Sequence, residues 1–293
     1  MREKSVSGER LAVSGEEARP ANGWLIAATI RTLLCLLVLP LTAYRSPLTA
    51  VQIQDNSFLI EEAYNQESGI VQHISTFDRT SGGDWAYGFT QEWPLGGIRH
   101  QLSYTIPVEN IEGLGTGLGD VALNYRHQLV GNPEAATVFA PRLSLLLPTG
   151  DHEEGRGAGA LGLQTNLPLS LVLAPHLVTH WNAGATLTPS AKSQLGEEAT
   201  TTSFHLGASA IWLLRPRFSL MLEALWLSSG EVVRTGETVR DESLLLNPGI
   251  RAAFNLANDL QIVPGVAYTI DLGSGSDEDA LFVYLSFEHP FKR

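Results

Sequence analysis

The chain has 293 residues, of which 44% are hydrophobic and 17% are charged, with a single cysteine and a formal net charge of −12. Its mean hydropathy of +0.03 argues against a multi-span helical membrane protein, and its apolar content argues against disorder. One cysteine excludes a disulfide scaffold and a cysteine-based zinc site, and the acidic balance argues against a nucleic-acid-binding protein.

The strongest apolar run lies near the amino terminus, at residues 24–43. Arg31 interrupts it and leaves residues 32–39 as the uninterrupted core, which suits a secretory signal peptide and is short for a membrane span. We therefore predict a signal peptide at residues 1–43, with a second candidate cleavage site after Ala50. An uncleaved membrane anchor is the alternative.

Residues 44–68 follow as a predicted periplasmic N-terminal segment. Asn56 or Ser57 would cap a short helix here. Such a segment would plug the domain that follows or lie beneath it, and an extended periplasmic lead-in is an equal alternative.

From residue 69 to residue 291, apolar and polar residues alternate with a period of two, which indicates β-strands with one apolar face. In residues 84–93, for example, the aromatic side chains share one face and mostly small or polar residues share the other. About twelve segments show the pattern, at 69–79, 84–93, 98–108, 120–129, 137–147, 161–173, 177–187, 203–214, 218–227, 244–255, 260–270 and 281–291.

The connections between these strands alternate in length, except that the first hairpin, at 80–83, is also short. Short connections fall at 94–97, 131–135, 174–176, 215–217 and 257–259, and longer polar ones at 109–119, 148–160, 188–202, 228–243 and 271–280. Periplasmic turns and extracellular loops alternate in this way in outer-membrane barrels.

The charge distribution favours a membrane barrel over a soluble β-sandwich, which would show a similar alternation. From the second predicted strand to the last, the apolar face carries no Asp, Glu, Lys or Arg, as contact with lipid requires. The opposite face is largely Gly, Ala, Ser, Thr and Asn, which suits a crowded lumen. We predict an all-β fold, a closed antiparallel up-and-down transmembrane β-barrel of about twelve strands over residues 69–291.

Several segments resemble a known family. They are 55–77, 89–108, 117–129, 140–151 and the ending 282–291, with GLGD at 117–120 and LPTGD at 147–151 as the more specific motifs. These segments resemble the MetA-pathway phenol-degradation family of bacterial outer-membrane transporters. The resemblance implies a barrel in the bacterial outer membrane that passes small, hydrophobic or aromatic molecules.

Charged side chains on the inward face are the candidate selectivity residues, because the groups that line a pore determine what passes. They are Glu92, Arg99, Arg126, Arg142, Glu223, Arg251 and Glu288. These residues would narrow the pore, or they would pair only to stabilise the barrel. His180, His205 and Tyr284 also point inward and are candidate lumen contacts.

We predict no catalytic residue, metal site or cofactor. The glycines of residues 113–119 lack the spacing of a dinucleotide-binding loop, and the acidic residues of 271–279 lack the spacing of a calcium-binding EF-hand. His100 and His127 lie on the apolar face, and no serine on that face appears as a nucleophile for them.

The sequence thus favours a non-enzymatic channel for passive passage of small solutes. A structural or surface-interaction barrel and a membrane-embedded hydrolase are the alternatives. The expected partners are a small-molecule solute, outer-membrane lipid and lipopolysaccharide, and the barrel-assembly machinery, whose signal the last strand resembles near Phe291.

Overall fold

A computed structural model describes residues 53, 55–132, 134–273 and 279–291 of the chain. The signal peptide predicted at 1–43 and the cleavage site after Ala50 lie outside the described residues. Among the residues that are described, no helix is long and apolar enough to cross a membrane.

Twelve antiparallel strands form a closed barrel, as predicted. They are β1 (Ile70–Thr80), β2 (Trp85–Pro94), β3 (His100–Ile111), β4 (Gly115–Leu118 and Val121–His127), β5 (Thr137–Phe139 and Arg142–Leu147), β6 (Gly162–Asn166 and Leu169–Ala174), β7 (Leu177–Lys192), β8 (Glu198–Arg215), β9 (Phe218–Arg234), β10 (Glu237–Ala252 and Phe254–Asn255), β11 (Gln261–Asp271) and β12 (Ala280–Pro290). Each strand pairs with the next along the chain, and β12 closes the ring on β1, with Ile70 opposite Pro290.

Four of the twelve strands are interrupted. Pro141 and Pro168 lie at the breaks in β5 and β6, where a proline has no N–H to give to the ladder. The two breaks are neighbours, and the N–H of Ala140 donates to the carbonyl of Pro168 at 3.1 Å. The barrel wall is therefore continuous at these two breaks, although the ladder of backbone hydrogen bonds between β5 and β6 is irregular.

The two faces of the strands differ as the alternation predicts. On β12, Phe282 and Tyr284 point inward and are at most 5% exposed, whereas Leu281, Val283 and Leu285 point outward and are 40–48% exposed. Large apolar side chains are exposed on the outside of the other strands too, a surface that is stable in lipid. Closure also leaves no unpaired strand edge, which a bilayer requires. The barrel therefore has the architecture of a bacterial outer-membrane protein.

Three of the predicted long connections are wrong, because much of each is strand. β3 and β4 continue until a turn at 112–114, where a loop over 109–119 was expected. β7 and β8 continue until a turn at 193–197, where a loop over 188–202 was expected. β9 and β10 continue until Thr235 and Gly236, where a loop over 228–243 was expected. The apolar–polar alternation appears only where one face of a strand is apolar. Where two paired strands extend beyond the membrane, both of their faces meet water, so the alternation is lost and the sequence does not reveal the strands.

Residues 55–67 lie inside the barrel and contain only bends and irregular chain. The helix that Asn56 or Ser57 would cap is not formed. Ile53 and Phe58 join inward apolar side chains of the wall, among them Ile211 and Phe282, in the main interior cluster.

Substitution of Leu145 by arginine is expected to impair assembly. Leu145 faces outward on β5 and is 37% exposed, and an arginine facing lipid near the bilayer midplane costs about 2–4 kcal/mol. Heat-modifiable migration on gels measures the folded fraction. The matched control Leu145→Phe keeps an apolar surface and should fold; equal folding of both variants would show that this face does not meet lipid.

The orientation of the barrel can be checked by thiol labelling in intact cells. Cysteines at Glu153, in the connection after β5, and at Glu198, which is 51% exposed at the start of β8, should react with an impermeant reagent. A cysteine at Leu95, in a short turn at the other end, should react only after the envelope is disrupted. The reverse pattern would invert this topology. All variants carry Cys35→Ser.

Candidate functional site

Residues 55–67, here called the plug, run around the inside of the barrel and cross its lumen. At one end, Asp55 accepts a hydrogen bond from the Tyr284 hydroxyl of β12 at 2.7 Å. At the other end, the N–H of Gln66 donates to Gln101 of β3 at 2.7 Å. Between these ends the plug contacts β9, β7, β6 and β4, so one short segment touches most of the wall.

Side chains of the wall satisfy the N–H groups of the plug. The Glu223 carboxylate accepts hydrogen bonds from three successive plug N–H groups, those of residues 58–60, at 3.0–3.2 Å. Further along, Asn182 accepts from Glu61, Ser170 from Ala63 and Gln128 from Asn65, at 2.8, 2.8 and 3.2 Å. A buried N–H without a partner is costly, so these side chains replace the bonds that a helix or strand would supply.

Two arginines satisfy carbonyl groups of the plug. Arg126 of β4 donates to the carbonyl of Glu62 at 3.0 Å and also to that of Tyr64. Arg251 of β10 donates to the carbonyl of Asn56 at 2.8 Å and to that of Ile53, just ahead of the plug, at 3.1 Å. Both guanidinium groups are almost completely buried, and the plug supplies much of their hydrogen bonding.

Glu61 of the plug forms the first of two ion-pair clusters. Its carboxylate lies 2.8 Å from Arg142 and 3.0 Å from Arg126, and it accepts from the Asn166 amide at 2.8 Å. Burial raises the pKa of the Glu61 carboxyl, but the positive charges of Arg142 and Arg126 outweigh burial and lower the pKa below its usual value. Glu61 is therefore ionised at neutral pH.

Glu62 forms the second cluster, on the other side of the plug chain. Its carboxylate lies 3.0 Å from Arg251, accepts from the Ser57 hydroxyl at 3.0 Å and lies 3.6 Å from His180. Both Glu62 and Arg251 have only 1% of their side chains exposed. The His180 ring also pairs with Ser170 at 2.7 Å, which connects this cluster to the wall.

Inward-facing glycines make room for the apolar side chains of the plug. A Cβ atom at Gly265 would lie 2.5 Å from the Phe58 ring, and one at Gly207 would lie 2.2 Å from Ile60. The Phe58 ring is 5.5 Å from that of Phe282 and stacks at a tilt. The wall is thus fitted to the plug in shape as well as in hydrogen bonding.

A cavity lies on each side of the plug. The first, here called the turn-side cavity because it lies at the end of the barrel with the short turns, has a volume of about 180 Å³ and is lined by Glu67, Asp259 and Glu288, among others. The second, here called the vestibule, has a volume of about 200 Å³ and opens away from the short turns; Thr76 and Thr105 are among its wall residues. The plug therefore separates two water-accessible spaces.

Most of the predicted lumen residues lie inside the barrel, and several of them meet at the plug. Those that contact the plug directly are Arg126, Arg142, Glu223, Arg251, His180 and Tyr284. His205 contacts Asn166 at 3.1 Å, and Glu288 lines the turn-side cavity.

Arg99 is the exception. It lies in the turn before β3, with an exposed side chain, because a residue of a tight turn does not follow the parity of the strand beside it. Glu92 and Arg99 form no ion pair. Glu92 instead accepts from Gln101 at 2.7 Å and lies 3.8 Å from Arg126.

Sequence reasoning missed the plug carboxylates Asp55, Glu61 and Glu62. A signal was present, because an acidic segment precedes a barrel whose inward face carries arginines. The uncharged wall residues Gln101, Gln128, Ser170 and Asn182 were missed too, since amide and hydroxyl side chains are ordinary in any lumen.

The outward histidines form a separate feature near the short turns. His100 and His127 are directly opposite each other on β3 and β4, with ring centroids 4.7 Å apart, and His100 bonds the Tyr125 hydroxyl at 2.7 Å. No group of three or more His, Cys, Asp or Glu in the described part of the chain is placed to hold a metal ion.

The chain matches no known family model and no curated protein. Among solved structures, it is similar to an outer membrane channel from Pseudomonas putida F1, with a TM-score of 0.58 and 13% identity over 82% of this chain and 100% of that one. At this identity the likeness shows a shared fold. Weaker likenesses are to the CymD monoaromatic hydrocarbon channel (TM-score 0.40, 11% identity, 78% and 90% covered) and the transport unit of the autotransporter AIDA-I from Escherichia coli (0.38, 14%, 94% and 100%).

Glu223→Gln is expected to loosen the plug without unfolding the barrel. A hydrogen bond contributes about 0.5–1.5 kcal/mol, and the substitution replaces two acceptor oxygens, which the N–H groups of residues 58–60 share, by one. Amide hydrogen exchange of residues 58–60 should accelerate by about tenfold or more. The matched control is Glu231→Gln, in an exposed part of β9, and exchange of these amides should be unchanged there. Equal exchange in Glu223→Gln and wild type would contradict the role given to Glu223.

Proposed function

We propose that the protein is an outer-membrane channel for passive passage of small solutes, closed at rest by the plug. The observation that carries this proposal is the plug itself. A segment without secondary structure crosses the lumen, is held by side chains of the wall and has a cavity on each side. Such a segment can leave or shift while the barrel keeps its own ladder of backbone hydrogen bonds.

The wall supports a small and partly apolar solute. Ile211, Met221 and Phe282 point into the lumen, and twelve strands enclose less space than the 16–18 strands of open porins. The fold shared with an outer membrane channel is consistent with passage. We further propose that the protein is one of the MetA-pathway phenol-degradation transporters, on the basis of the sequence resemblance over residues 55–291.

The lumen charges have two roles in this proposal. In the closed state Arg126, Arg142, Arg251 and Glu223 hold the plug. In the open state the same groups, with Glu92, would face the solute and set its selectivity. Outer-membrane lipid, lipopolysaccharide and the barrel-assembly machinery are the expected partners.

Neither alternative gains an accessible site among the described residues. Inside the barrel the Ser170 hydroxyl bonds the His180 ring, but it is 1% exposed and accepts the Ala63 N–H of the plug. For a hydrolase, Ser75 does share the outward face of β1 with His73, which the sequence reading overlooked. The Ser75 hydroxyl, however, bonds that of Tyr87 at 3.1 Å, and the His73 ring stacks on Phe287 at 4.7 Å. A sealed surface-interaction barrel would not conduct, and this separates it from a channel.

Deletion of residues 55–67 is expected to open the channel. Planar-bilayer recordings should show a larger and more stable conductance than in the intact protein, because the segment that crosses the lumen is gone. A deletion variant that folds, as judged by heat-modifiable migration, but conducts no more than the intact protein would contradict the proposal.

A disulfide between plug and wall provides the converse control. The Ala63 N–H and the Ser170 hydroxyl are 2.8 Å apart, so Ala63→Cys with Ser170→Cys, in a Cys35→Ser background, should tether the plug to β6. Oxidised protein should stay closed, and reduction should restore opening. The single variant Ala63→Cys should not respond to the reductant.

A further inference from the structure

Glu61 occupies a carboxylate-binding site that belongs to the wall. Arg142 of β5 and Asn166 of β6 donate to one carboxylate oxygen, each at 2.8 Å, and Arg126 of β4 donates to the other at 3.0 Å. All three donors come from adjacent strands. The wall therefore supplies all three hydrogen-bond donors of the site, and the plug supplies only the carboxylate that accepts from them.

The central donor is positioned independently of the plug. The Arg142 guanidinium donates to Asn124 at 2.9 Å and to Gln164 at 3.1 Å, and it also bonds Ser144. These partners lie on β4, β6 and β5. A cation fixed in this way is preorganised for an anionic ligand, which reduces the ordering cost of binding.

This site can be reached from the vestibule, whereas the other carboxylate cluster cannot. Glu61 and Arg142 have 17% and 18% of their side chains exposed, and both line the vestibule. Glu62 and Arg251 have 1% each. A solute that enters the vestibule therefore meets the partners of Glu61 and not those of Glu62.

The vestibule also offers an apolar surface next to the arginine. Phe58, Ile74 and Tyr284 line it together with the hydroxyl groups of several threonines. Its volume of about 200 Å³ is sufficient for a small ligand and not for a polymer. The combination of one fixed cation and an apolar wall suits a compact molecule with one carboxylate and an apolar body.

We propose that this site binds the carboxylate of a small organic acid, which displaces Glu61 from Arg142 and so releases the plug. The inference rests on the proposed channel function and names the class of solute that opens it. A neutral molecule of the same shape has no charge with which to replace Glu61 beside the arginines, so it leaves the plug in place.

The test uses a cysteine at Ala63 as a reporter of plug release. Ala63 is completely buried, so its thiol reacts with a maleimide only when the plug moves. The probes are benzoate and benzamide, which have similar size and differ in charge. In proteoliposomes of the Cys35→Ser, Ala63→Cys protein, benzoate should raise the labelling rate by about tenfold or more, the effect of one hydrogen bond to a charged group, and benzamide should leave it unchanged.

Two variants locate the effect. Arg142→Gln should raise labelling without any probe, because it removes a plug contact, and should abolish the further increase with benzoate. Glu61→Gln, which removes the same contact from the plug side, should also raise labelling without any probe. The matched control is Arg240→Gln, which removes an arginine that bonds Thr202 and Ser228 outside the lumen, and it should respond as the parent does. If Arg142→Gln does not assemble, Asn166→Ala removes another donor of the same site and should weaken the response.

Three results would overturn the inference: equal acceleration by benzoate and benzamide, no acceleration by either, or a full benzoate response in an assembled Arg142→Gln or Asn166→Ala variant. The channel proposal fails separately, when the deletion of residues 55–67 gives no added conductance. If the deletion raises conductance but benzoate does not change the labelling rate, the carboxylate inference is wrong and the channel proposal stands.

Discussion

A backbone segment buried without secondary structure needs a partner for each of its N–H and C=O groups, and this need shapes the inner wall of the barrel. A helix or strand would satisfy those groups internally, but the plug has neither. The wall supplies Glu223, Asn182, Ser170, Gln128 and Gln101 as acceptors, in an order that follows the plug around the barrel. Polar residues that would be unremarkable in an open pore thus have defined roles in a closed one.

The barrel could be predicted from the sequence because lipid imposes a simple rule on one face. Every outward residue meets the same medium, so the alternation on β12 and the inward parity of Arg126, Arg142 and Arg251 follow from sequence alone. No such rule governs residues 55–67, whose partners are more than 100 positions away in several cases, such as Glu61 with Asn182. The rule also fails for Arg99, because a residue in a tight turn does not follow the alternation of the neighbouring strand. It fails again for the ends of β7 to β10 that extend beyond the membrane, because these ends have no apolar face.

The charges of plug and wall can be understood as one set. Arg126, Arg142 and Arg251 are buried or nearly so, and an unpaired buried cation is unfavourable. Glu61 and Glu62 of the plug lie against them, so the plug neutralises charge in the lumen as well as filling it. Loss of a lumen arginine is therefore expected to alter plug affinity before it alters selectivity. An effect of such a substitution on transport can therefore be attributed to solute selectivity only when it is measured in a variant that lacks the plug.

The two adjacent carboxylates of the plug differ in a way that reconciles closure with opening. Glu62 is sealed with Arg251 and holds the segment, whereas Glu61 faces the vestibule and is the member of the pair that a solute can replace. If both were sealed, release would require breaking buried ion pairs with nothing to take their place, at several kcal/mol each. If both were exposed, water and salt would screen the pairs and the plug would be weakly held. A solute carboxylate that replaces Glu61 breaks the plug contact on the vestibule side first. The buried contact between Glu62 and Arg251 then has to break only after the plug has already been weakened.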